Sequence, residues 1–341
     1  MCKITTFPSI LQSFLIKFAK NYSNIMKIVI LDAFTANPGD LSWDNLKRFG
    51  ELEVYPRTSE SEIVERCKDA EIVLTNKTPL SAETIGSLPA LRYIGVLATG
   101  YNIVDVKAAR ERGIVVCNVP SYSTMSVAQN VFSLLLEITN SVAKYSAEVA
   151  RGDWANCADF CFINTPLVEL AGHQMGIVGY GAIGKRVAEI AMAFGMNVAA
   201  YTSKDPQEVA PVKKMTLPEL LATSDVISLH CPLTPETKYM INADTLAQMK
   251  PSAILINTGR GPLVNEEELA QALKNGVIAA AGIDVMEQEP PKAGNPLFAL
   301  PNCFITPHIS WATKEARERL LSVTEQNVAA FVAGTPQNVV N

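Results

Sequence analysis

The sequence predicts an α/β protein with two domains, each built on a doubly wound parallel sheet. A chain of 341 residues is longer than one hydrophobic core usually supports. Short β-branched runs alternate with helical stretches over most of this length, which is typical of parallel βαβ units. A glycine-rich turn also joins a strand-like run to a helical stretch near the middle of the chain, where a second series of such units begins.

The first domain is predicted to span residues 26–122. Met26 directly precedes a strand-like run at 27–31, and further runs follow at 71–74, 93–97 and 114–116. Residues 1–25 lack a strong basic start and an obvious small-residue cleavage site, so we interpret them as an N-terminal extension rather than a secretory signal. In the alternative interpretation, translation begins at Met26 and this extension is not part of the native protein. Pro120 and the polar residues after it predict a hinge, which a long amphipathic helix at 126–149 follows.

The second domain is predicted to span residues 123–308. Its first strand-like run, at 175–178, leads into the glycine turn and then into a helix that Gly195 ends. Five further strand-like runs follow, at 197–201, 226–230, 254–257, 281–284 and 303–306. After Pro307 only one long helical stretch remains, at about 313–333, and we expect it to return to the first domain.

The glycine turn predicts a binding site for a dinucleotide. Six residues form it: Gly179, Tyr180, Gly181, Ala182, Ile183 and Gly184. Gly179 permits a tight turn, Gly181 lets the backbone approach a pyrophosphate, and Gly184 lets the helix pack closely on the strand. The N-terminus of that helix then faces the anion. Because strand, turn and helix occur together, we expect NAD or NADP as the cofactor.

The end of the next strand-like run favours NADP slightly over NAD. A carboxylate about twenty positions after such a turn would hydrogen-bond the ribose 2′-hydroxyl of NAD. Thr202, Ser203 and Lys204 stand there instead. Two hydroxyls and an ammonium group do not repel a 2′-phosphate and can bind it. In the alternative interpretation, Asp205 turns back toward the ribose and serves NAD.

Three candidate catalytic residues, Arg260, Glu289 and His308, follow separate strand-like runs. The carboxyl ends of parallel strands meet at one edge of a sheet, so these side chains are expected in one cleft. An arginine binds the planar carboxylate of a 2-keto acid through two parallel hydrogen bonds. An imidazole can donate and remove a proton near neutral pH, and a carboxylate on its other ring nitrogen fixes the tautomer and favours the protonated form. Taken singly, each residue also suits a surface turn or a strand end.

Five sequence blocks resemble the D-isomer-specific 2-hydroxyacid dehydrogenase family. Those at 256–261, 282–290 and 306–309 are similar to its three signature blocks, and those at 178–184 and 229–234 to its cofactor blocks. The resemblance covers the chain from Met26 onward. It implies two Rossmann-like or flavodoxin-like domains, in which a cofactor domain (123–308) is inserted into a discontinuous substrate domain (26–122 and 309–341). It also implies closure over the substrate and a homodimer joined through the cofactor domains.

The remaining candidate site residues lie at other predicted strand ends. The resemblance places adenosine contacts at His230, Cys231 and Pro232, and further cofactor contacts at Thr258 and Gly259. Asp284 suits the nicotinamide carboxamide, with a purely structural role as the alternative. Candidate substrate-binding residues follow two strand-like runs of the first domain: Asn76, Lys77, Ala98, Thr99 and Gly100. The backbone N–H groups of the second of these loops can cradle a carboxylate, although each residue is as well suited to shaping its loop.

The substrate is expected to be a short 2-keto acid and its D-2-hydroxy acid. The stretch 308–313 is similar to that of glycerate dehydrogenases and hydroxypyruvate reductases, so hydroxypyruvate and D-glycerate are the first choice. Trp311 would narrow the pocket, which leaves glyoxylate or another short keto acid open, and a 3-phosphoglycerate dehydrogenase is a further alternative. A protein of another class, a cofactor-sensing corepressor, is also compatible with these residues.

Composition argues against several other functions. A net charge of -5 disfavours a nucleic-acid or anionic-membrane surface, and no run approaches the length of a membrane span. The seven cysteines are odd in number and lack a C-x-x-C pair, so we interpret them as reduced thiols of a cytoplasmic protein. Cys157 and Cys161 have no nearby histidine or further cysteine, and no metal site is predicted.

Overall fold

A computed structural model describes residues 26–341, which form two compact units. The predicted N-terminal extension lies outside the described residues. The chain passes from the first unit to the second after Tyr122 and returns at Arg317, whereas the second boundary predicted from the sequence lies before residue 309. Within residues 26–341, none of the helices combines the length and apolar character that crossing a membrane would require.

The first unit contains a five-stranded parallel sheet in the order β2-β1-β3-β4-β5. Its strands are β1 (Met26–Ile30), β2 (Gly50–Val54), β3 (Ile72–Thr75), β4 (Tyr93–Val96) and β5 (Val115–Cys117). This is the flavodoxin-like strand order. Strands β3 and β4 are fully buried, which explains their uninterrupted apolar runs. Strand β2 was not predicted, because it is a half-exposed edge strand with two glutamates.

Short helices connect these strands: α1 (Ala33–Ala36), α2 (Ile63–Cys67), α3 (Ala82–Gly86) and α4 (Val106–Glu111). Two of them begin at a side-chain cap, since Ser81 accepts a hydrogen bond from Thr84 N and Asp105 from Ala108 N. Two 3₁₀ segments, Asp44–Phe49 and Glu60–Glu62, complete the connections. All strands are therefore parallel, with their carboxyl ends at one edge.

The second unit contains a seven-stranded parallel sheet in the order β12-β11-β10-β9-β6-β7-β8. Its strands are β6 (Gln174–Val178), β7 (Asn197–Tyr201), β8 (Lys213–Lys214), β9 (Val226–Leu229), β10 (Ile254–Asn257), β11 (Ala280–Ile283) and β12 (Cys303–Ile305). The strand order reverses between β6 and β9. In open α/β sheets such a reversal leaves a crevice at the carboxyl ends of the strands.

Helices cover this second sheet: α5 (Thr124–Asn140), α6 (Val142–Ala150), α7 (Ala182–Ala193), α8 (Pro206–Val209), α9 (Leu217–Thr223), α10 (Ala243–Leu246) and α11 (Glu266–Lys274). Helices α5 and α7 pack together, with the rings of Phe132 and Phe194 stacked at 5.3 Å. The predicted helix at 126–149 is thus two helices, because Ser141 adopts a left-handed conformation between them.

The last helix, α12 (Lys314–Val332), belongs to the first unit from Arg317 onward. Arg317 makes two hydrogen bonds to the Asp40 carboxylate, at 2.6 and 2.7 Å. Farther along, the ring of Phe331 lies 4.8 Å from that of Tyr93 in β4. The helix is therefore held on the sheet of the first unit by a bidentate ion pair and an aromatic contact.

Candidate active site

The glycine turn lies at the reversal point of the second sheet. Gly179 has a φ of +94°, and a Cβ added to it would lie 2.5 Å from Cys231 N, in the loop that follows β9. A Cβ at Gly184 would lie 2.2 Å from Gly179 O. Both positions therefore require glycine, one for its conformation and one for close packing of α7.

The space above the turn fits a pyrophosphate. Gly181 is the N-cap residue of α7, and a Cβ added there would meet no atom within 4 Å. The first backbone N–H groups of α7, beginning at Ala182 and Ile183, thus border open space at a helix N-terminus, which favours an anion. The side chain of Tyr180, in contrast, is buried in the hydrophobic core, so only its backbone belongs to the turn.

A polar, basic group follows β7 at the predicted ribose position. Thr202 Oγ1 accepts a hydrogen bond from Lys204 N at 3.3 Å, and the Lys214 ammonium donates to Lys204 O at 2.5 Å. Asp205 is the N-cap residue of α8 and forms a capping box with Glu208. Its position at this cap weakens the alternative in which Asp205 serves the ribose.

The loop after β9 holds a neutral histidine and an inert thiol. His230 Nε2 lies 2.8 Å from Ser228 Oγ, and desolvation lowers the pKa of His230 to about 4. Burial raises the pKa of Cys231 to about 11, so its thiol stays protonated at neutral pH. Pro232 O accepts a hydrogen bond from Thr237 Oγ1 at 2.8 Å. An uncharged surface thus stands beside the glycine turn, as an adenosine requires.

Arg260 leaves the end of β10 through a turn that Asn257 shapes. Asn257 Oδ1 accepts from Gly259 N at 3.0 Å, and its Nδ2 donates to Arg260 O at 2.9 Å. The Arg260 side chain is exposed, and its guanidinium donates to Gly259 O at 2.7 Å. Thr258 is buried, and its Oγ1 has no hydrogen-bond partner within residues 26–341. This orphaned hydroxyl fits a site that a ligand completes.

Among the candidate catalytic residues, Glu289 and His308 form a direct pair. His308 Nδ1 lies 2.7 Å from Glu289 Oε2, and the two side chains are 26% and 36% exposed. Glu289 Oε1 accepts a hydrogen bond from Met286 N at 3.0 Å. The carboxylate engages Nδ1, so Nε2 is the ring nitrogen that can exchange a proton with a substrate.

Asp284 holds the segment that contains His308. His308 has a φ of +54°, a left-handed conformation that costs free energy for a residue with a Cβ. The buried Asp284 carboxylate accepts hydrogen bonds from Thr306 Oγ1 at 2.6 Å and from the N–H groups of Ile309 and Ser310, each at 3.0 Å. Its backbone oxygen also accepts from His308 N at 2.8 Å. These contacts favour the structural alternative for Asp284 over a carboxamide contact.

The three candidate catalytic residues share one edge of the sheet. Strands β10, β11 and β12 are neighbours, with Asn257 paired to Ile283 and Ile283 paired to Ile305. Arg260 therefore follows one strand, Glu289 follows the next, and His308 follows the last. A guanidinium, a carboxylate and an imidazole therefore follow the carboxyl ends of neighbouring strands, at the same edge of the sheet as the glycine turn.

In the first unit, the loop after β3 is held by Asp32, which was not among the site residues predicted from the sequence. The Asp32 carboxylate accepts the backbone N–H groups of Asn76, Lys77 and Thr78. The Asn76 side chain donates to Leu97 O at 2.6 Å and thus ties this loop to the next. An aspartate two residues beyond a buried strand was the signal that could have identified it.

The loop after β4 keeps backbone donors available. Thr99 Oγ1 donates to Val119 O at 2.9 Å, so its side chain shapes the loop. The backbone N–H groups of Thr99 and Gly100 have no hydrogen-bond partner in the described part of the chain. Ala98 is half-buried beside them. Of the predicted substrate-binding residues, Thr99 and Gly100 thus fit a carboxylate through their backbone.

A metal site is not indicated among the described residues, where no group of three or more histidine, cysteine or acidic side chains is arranged to hold an ion. Cys157 Sγ lies 3.6 Å from Cys161 O, in a turn. All six described cysteines are free thiols.

Comparison with known proteins identifies the family. A family model described as "D-isomer specific 2-hydroxyacid dehydrogenase, NAD binding domain" matches residues 132–310. The chain belongs to the D-isomer-specific 2-hydroxyacid dehydrogenase family. It is 50% identical over 321 residues to a hydroxypyruvate reductase of Blautia hydrogenotrophica, which covers 93% of this chain and 100% of that protein. It is 47% identical to a glycerate dehydrogenase of Methylorubrum extorquens, over 85% of this chain and 92% of that one.

A solved structure shares this fold. An acyclic imino acid reductase in complex with NADPH and D-Arg superimposes with a TM-score of 0.82 at 31% sequence identity, covering 93% of this chain and 100% of that one. The predicted family, the α/β fold with two parallel sheets and the nicotinamide cofactor are confirmed. As a member of this family, the protein is an oxidoreductase of 2-keto acids and D-2-hydroxy acids.

Proposed function

We propose that this enzyme reduces hydroxypyruvate to D-glycerate and catalyses the reverse oxidation. The observation that carries the proposal is the 2.7 Å pair of Glu289 and His308, which stands one strand from Arg260. The proposed substrate follows from the names of the two relatives, hydroxypyruvate reductase and glycerate dehydrogenase.

Each catalytic residue then has one role. The nicotinamide, when bound, supplies the hydride in reduction and accepts it in oxidation. His308 donates a proton from Nε2 to the substrate carbonyl oxygen, and Glu289 holds the imidazole in the required tautomer and orientation through Nδ1. Arg260 binds the substrate carboxylate with two parallel donors, which requires its side chain to leave Gly259 O. In the first unit, the N–H groups of Thr99 and Gly100 are proposed as donors to a carboxylate.

The cofactor residues divide by the part of the dinucleotide that they would hold. The N-terminus of α7 at Gly181 holds the pyrophosphate, and the uncharged surface at His230 faces the adenosine. Thr202, Ser203 and Lys204 bind a ribose 2′-phosphate, so NADP is preferred. The nearby ammonium of Lys214 adds positive charge and supports this preference. The buried hydroxyl of Thr258 is proposed to face the nicotinamide half of the cofactor.

We further propose that the protein is a cytoplasmic homodimer, with residues 123–308 as the cofactor domain and residues 26–122 and 309–341 as the substrate domain. A group of exposed apolar side chains in the second unit supports self-association: Trp154, Phe160 and Ile163 are 52%, 89% and 70% exposed. Sedimentation velocity of the purified protein should give the mass of two chains.

The proposal is tested by steady-state reduction of hydroxypyruvate, glyoxylate, pyruvate and 3-phosphohydroxypyruvate with NADH and with NADPH. Hydroxypyruvate with NADPH should give the highest kcat/KM. A higher value for glyoxylate would assign the enzyme to that substrate instead, and cofactor binding without turnover of any of the four would favour the corepressor class.

The role of His308 has its own test. His308→Gln should abolish turnover while NADPH still binds, as followed by fluorescence titration. Near-normal rates in this variant would exclude His308 as the proton donor.

A further inference from the structure

In the second unit, the backbone N–H of each of Glu266 and Glu287 donates a hydrogen bond to the carboxylate of the other. Glu266 is the first residue of α11, and its backbone N–H donates to Glu287 Oε1 at 2.9 Å. Glu287 N–H donates in return to Glu266 Oε1 at 2.5 Å. The N–H groups in the first turn of a helix have no partner within the helix, so the Glu287 carboxylate satisfies one of them. The pair fixes the backbone of Glu287 to the start of α11.

The other oxygen of Glu266 holds a second point on the same loop. Glu266 Oε2 accepts a hydrogen bond from Asn295 Nδ2 at 2.5 Å. The orientation of the Asn295 amide is set by its Oδ1, which accepts from Leu297 N at 3.0 Å. One carboxylate thus contacts both ends of residues 287–295, the segment that contains Glu289. We call this segment the Glu289 loop.

Burial distinguishes Glu266 from the loop that it contacts. Glu266 is 9% exposed, whereas residues 287–294 are all exposed. Packing alone holds an exposed loop weakly, so the hydrogen bonds at its two ends contribute to its conformation together with those that Glu289 makes to Met286 N and His308. A buried carboxylate carries a desolvation penalty that only well-formed hydrogen bonds offset, and both of its oxygens are used here.

Two further contacts connect this arrangement to its surroundings. Tyr239 OH donates to Glu287 Oε2 at 2.9 Å. Gly261 lies so close to the loop that an added Cβ would be 1.9 Å from Met286 O. The turn that carries Arg260 and the start of the Glu289 loop are therefore packed backbone against backbone.

We propose that Glu266 is a positioning residue, which holds the Glu289 carboxylate at His308 by fixing both ends of the Glu289 loop. The inference rests on the proposed function, because it gives Glu266 an effect on catalysis only through the Glu289–His308 pair. Glu289 reaches His308 Nδ1 from an exposed segment, and a loop shift of about 1 Å can lower a rate about a hundredfold.

The decisive experiment exchanges a donor and an acceptor. Glu266→Gln replaces one of the two acceptor oxygens with an NH₂ group. In either orientation of the new amide, this donor faces another donor, Glu287 N or Asn295 Nδ2, and one hydrogen bond is lost. Adding Asn295→Asp restores an acceptor opposite the new NH₂ group, keeps an oxygen for Leu297 N and conserves net charge. Glu267→Gln is the matched control, because Glu267 is the exposed neighbour on the same helix.

With hydroxypyruvate and NADPH, Glu266→Gln should lower kcat about tenfold with the KM for NADPH within about twofold. The double variant should recover to within about threefold of the unmutated enzyme, and Glu267→Gln should match it throughout. Because Glu266 acts through Glu289, adding Glu266→Gln to Glu289→Gln should cost less than about a further twofold. A full tenfold loss on that background, or an unchanged kcat in Glu266→Gln alone, would overturn the inference.

Hydrogen–deuterium exchange separates this inference from the proposed function. The hydrogen-bonded backbone amides of the Glu289 loop, those of Glu287 and Asn295, should exchange faster in Glu266→Gln and in the milder Asn295→Ala, but not in Glu267→Gln. This measurement needs no turnover. If the unmutated protein reduces none of the four keto acids, the proposed function fails, and the exchange rates still decide whether Glu266 fixes the loop. Unchanged exchange in both Glu266→Gln and Asn295→Ala would show that Glu266 does not fix the Glu289 loop.

Discussion

Asp284→Asn should impair catalysis and stability together, although Asp284 is not expected to touch the substrate. The buried carboxylate accepts three donors, two on Oδ1 and one on Oδ2. An asparagine offers one acceptor oxygen, so its NH₂ group faces at least the Ser310 N–H. Losing a hydrogen bond to a charged group and burying an unsatisfied donor cost about 3 kcal/mol together. In a unit of this size we expect a melting temperature lower by roughly 6–12 °C.

The rate should fall for a separate reason. His308 keeps a left-handed backbone only while its surroundings enforce it, and Asp284 provides three of those contacts plus a backbone acceptor. Relaxation of this segment would move the imidazole by about 1 Å, which corresponds to roughly a hundredfold loss in kcat/KM for hydroxypyruvate.

A matched control separates the two effects. Asp225 also accepts a backbone N–H, from Gln174 at 2.8 Å, but it precedes β9 and thus lies at the opposite edge of the sheet. Asp225→Asn should lower the melting temperature and leave kcat/KM within about threefold. If Asp284→Asn lost stability but kept the kcat/KM of the unmutated enzyme, Asp284 would not be what positions His308.

Three further predictions follow from other parts of the site. Arg260→Lys loses the bidentate contact and should lower kcat/KM for the keto acid by the equivalent of about 2 kcal/mol of transition-state stabilisation, as measured by steady-state kinetics. An unchanged kcat/KM would contradict binding of the carboxylate by Arg260. Thr202→Asp should shift the NADPH to NADH ratio of kcat/KM toward NADH, and a ratio that stays constant would remove Thr202 from the ribose site. The pKa of His230 is 6.5 in the unfolded protein and about 4 in the folded protein, so between these values the unfolded protein binds a proton that the folded protein does not. The contribution of His230 to the free energy of unfolding is therefore fully present above pH 6.5 and is lost as pH falls toward 4. Between pH 7.5 and 5 this contribution is about 2 kcal/mol, and urea unfolding of His230→Gln should lack that part of the pH dependence.

The parallel strands and the edge that carries the site were predictable from the sequence. Buried parallel strands such as β3 and β10 have uninterrupted apolar runs, and their carboxyl ends must share one edge. That rule alone brings the segments after β10, β11 and β12 together, although Arg260 and His308 are far apart in the chain. Strand β2 was not predicted, because an exposed edge strand with alternating glutamates has no such run.

Hydrogen-bond partners inside the site were not predictable in the same way. The contact of Glu266 with Asn295 depends on the path of an exposed loop, which no periodicity in the sequence specifies. The burial of Tyr180 likewise follows from the direction in which one residue of a tight turn points. The pattern of residues identifies a glycine turn, but it does not distinguish the residues that contribute only their backbone.

Asp32 and Asp284 show why an acidic residue near a strand end is ambiguous. Both follow a strand at the carboxyl edge of a parallel sheet, where a ligand contact is the natural expectation. Both nevertheless use their oxygens on backbone N–H groups of a neighbouring loop, residues 76–78 in one unit and residues 309 and 310 in the other. Such a carboxylate fixes a loop that lies at the edge where ligands bind. Its effect on binding or catalysis is then indirect, and a loss of rate on substitution does not by itself identify a residue that touches the substrate.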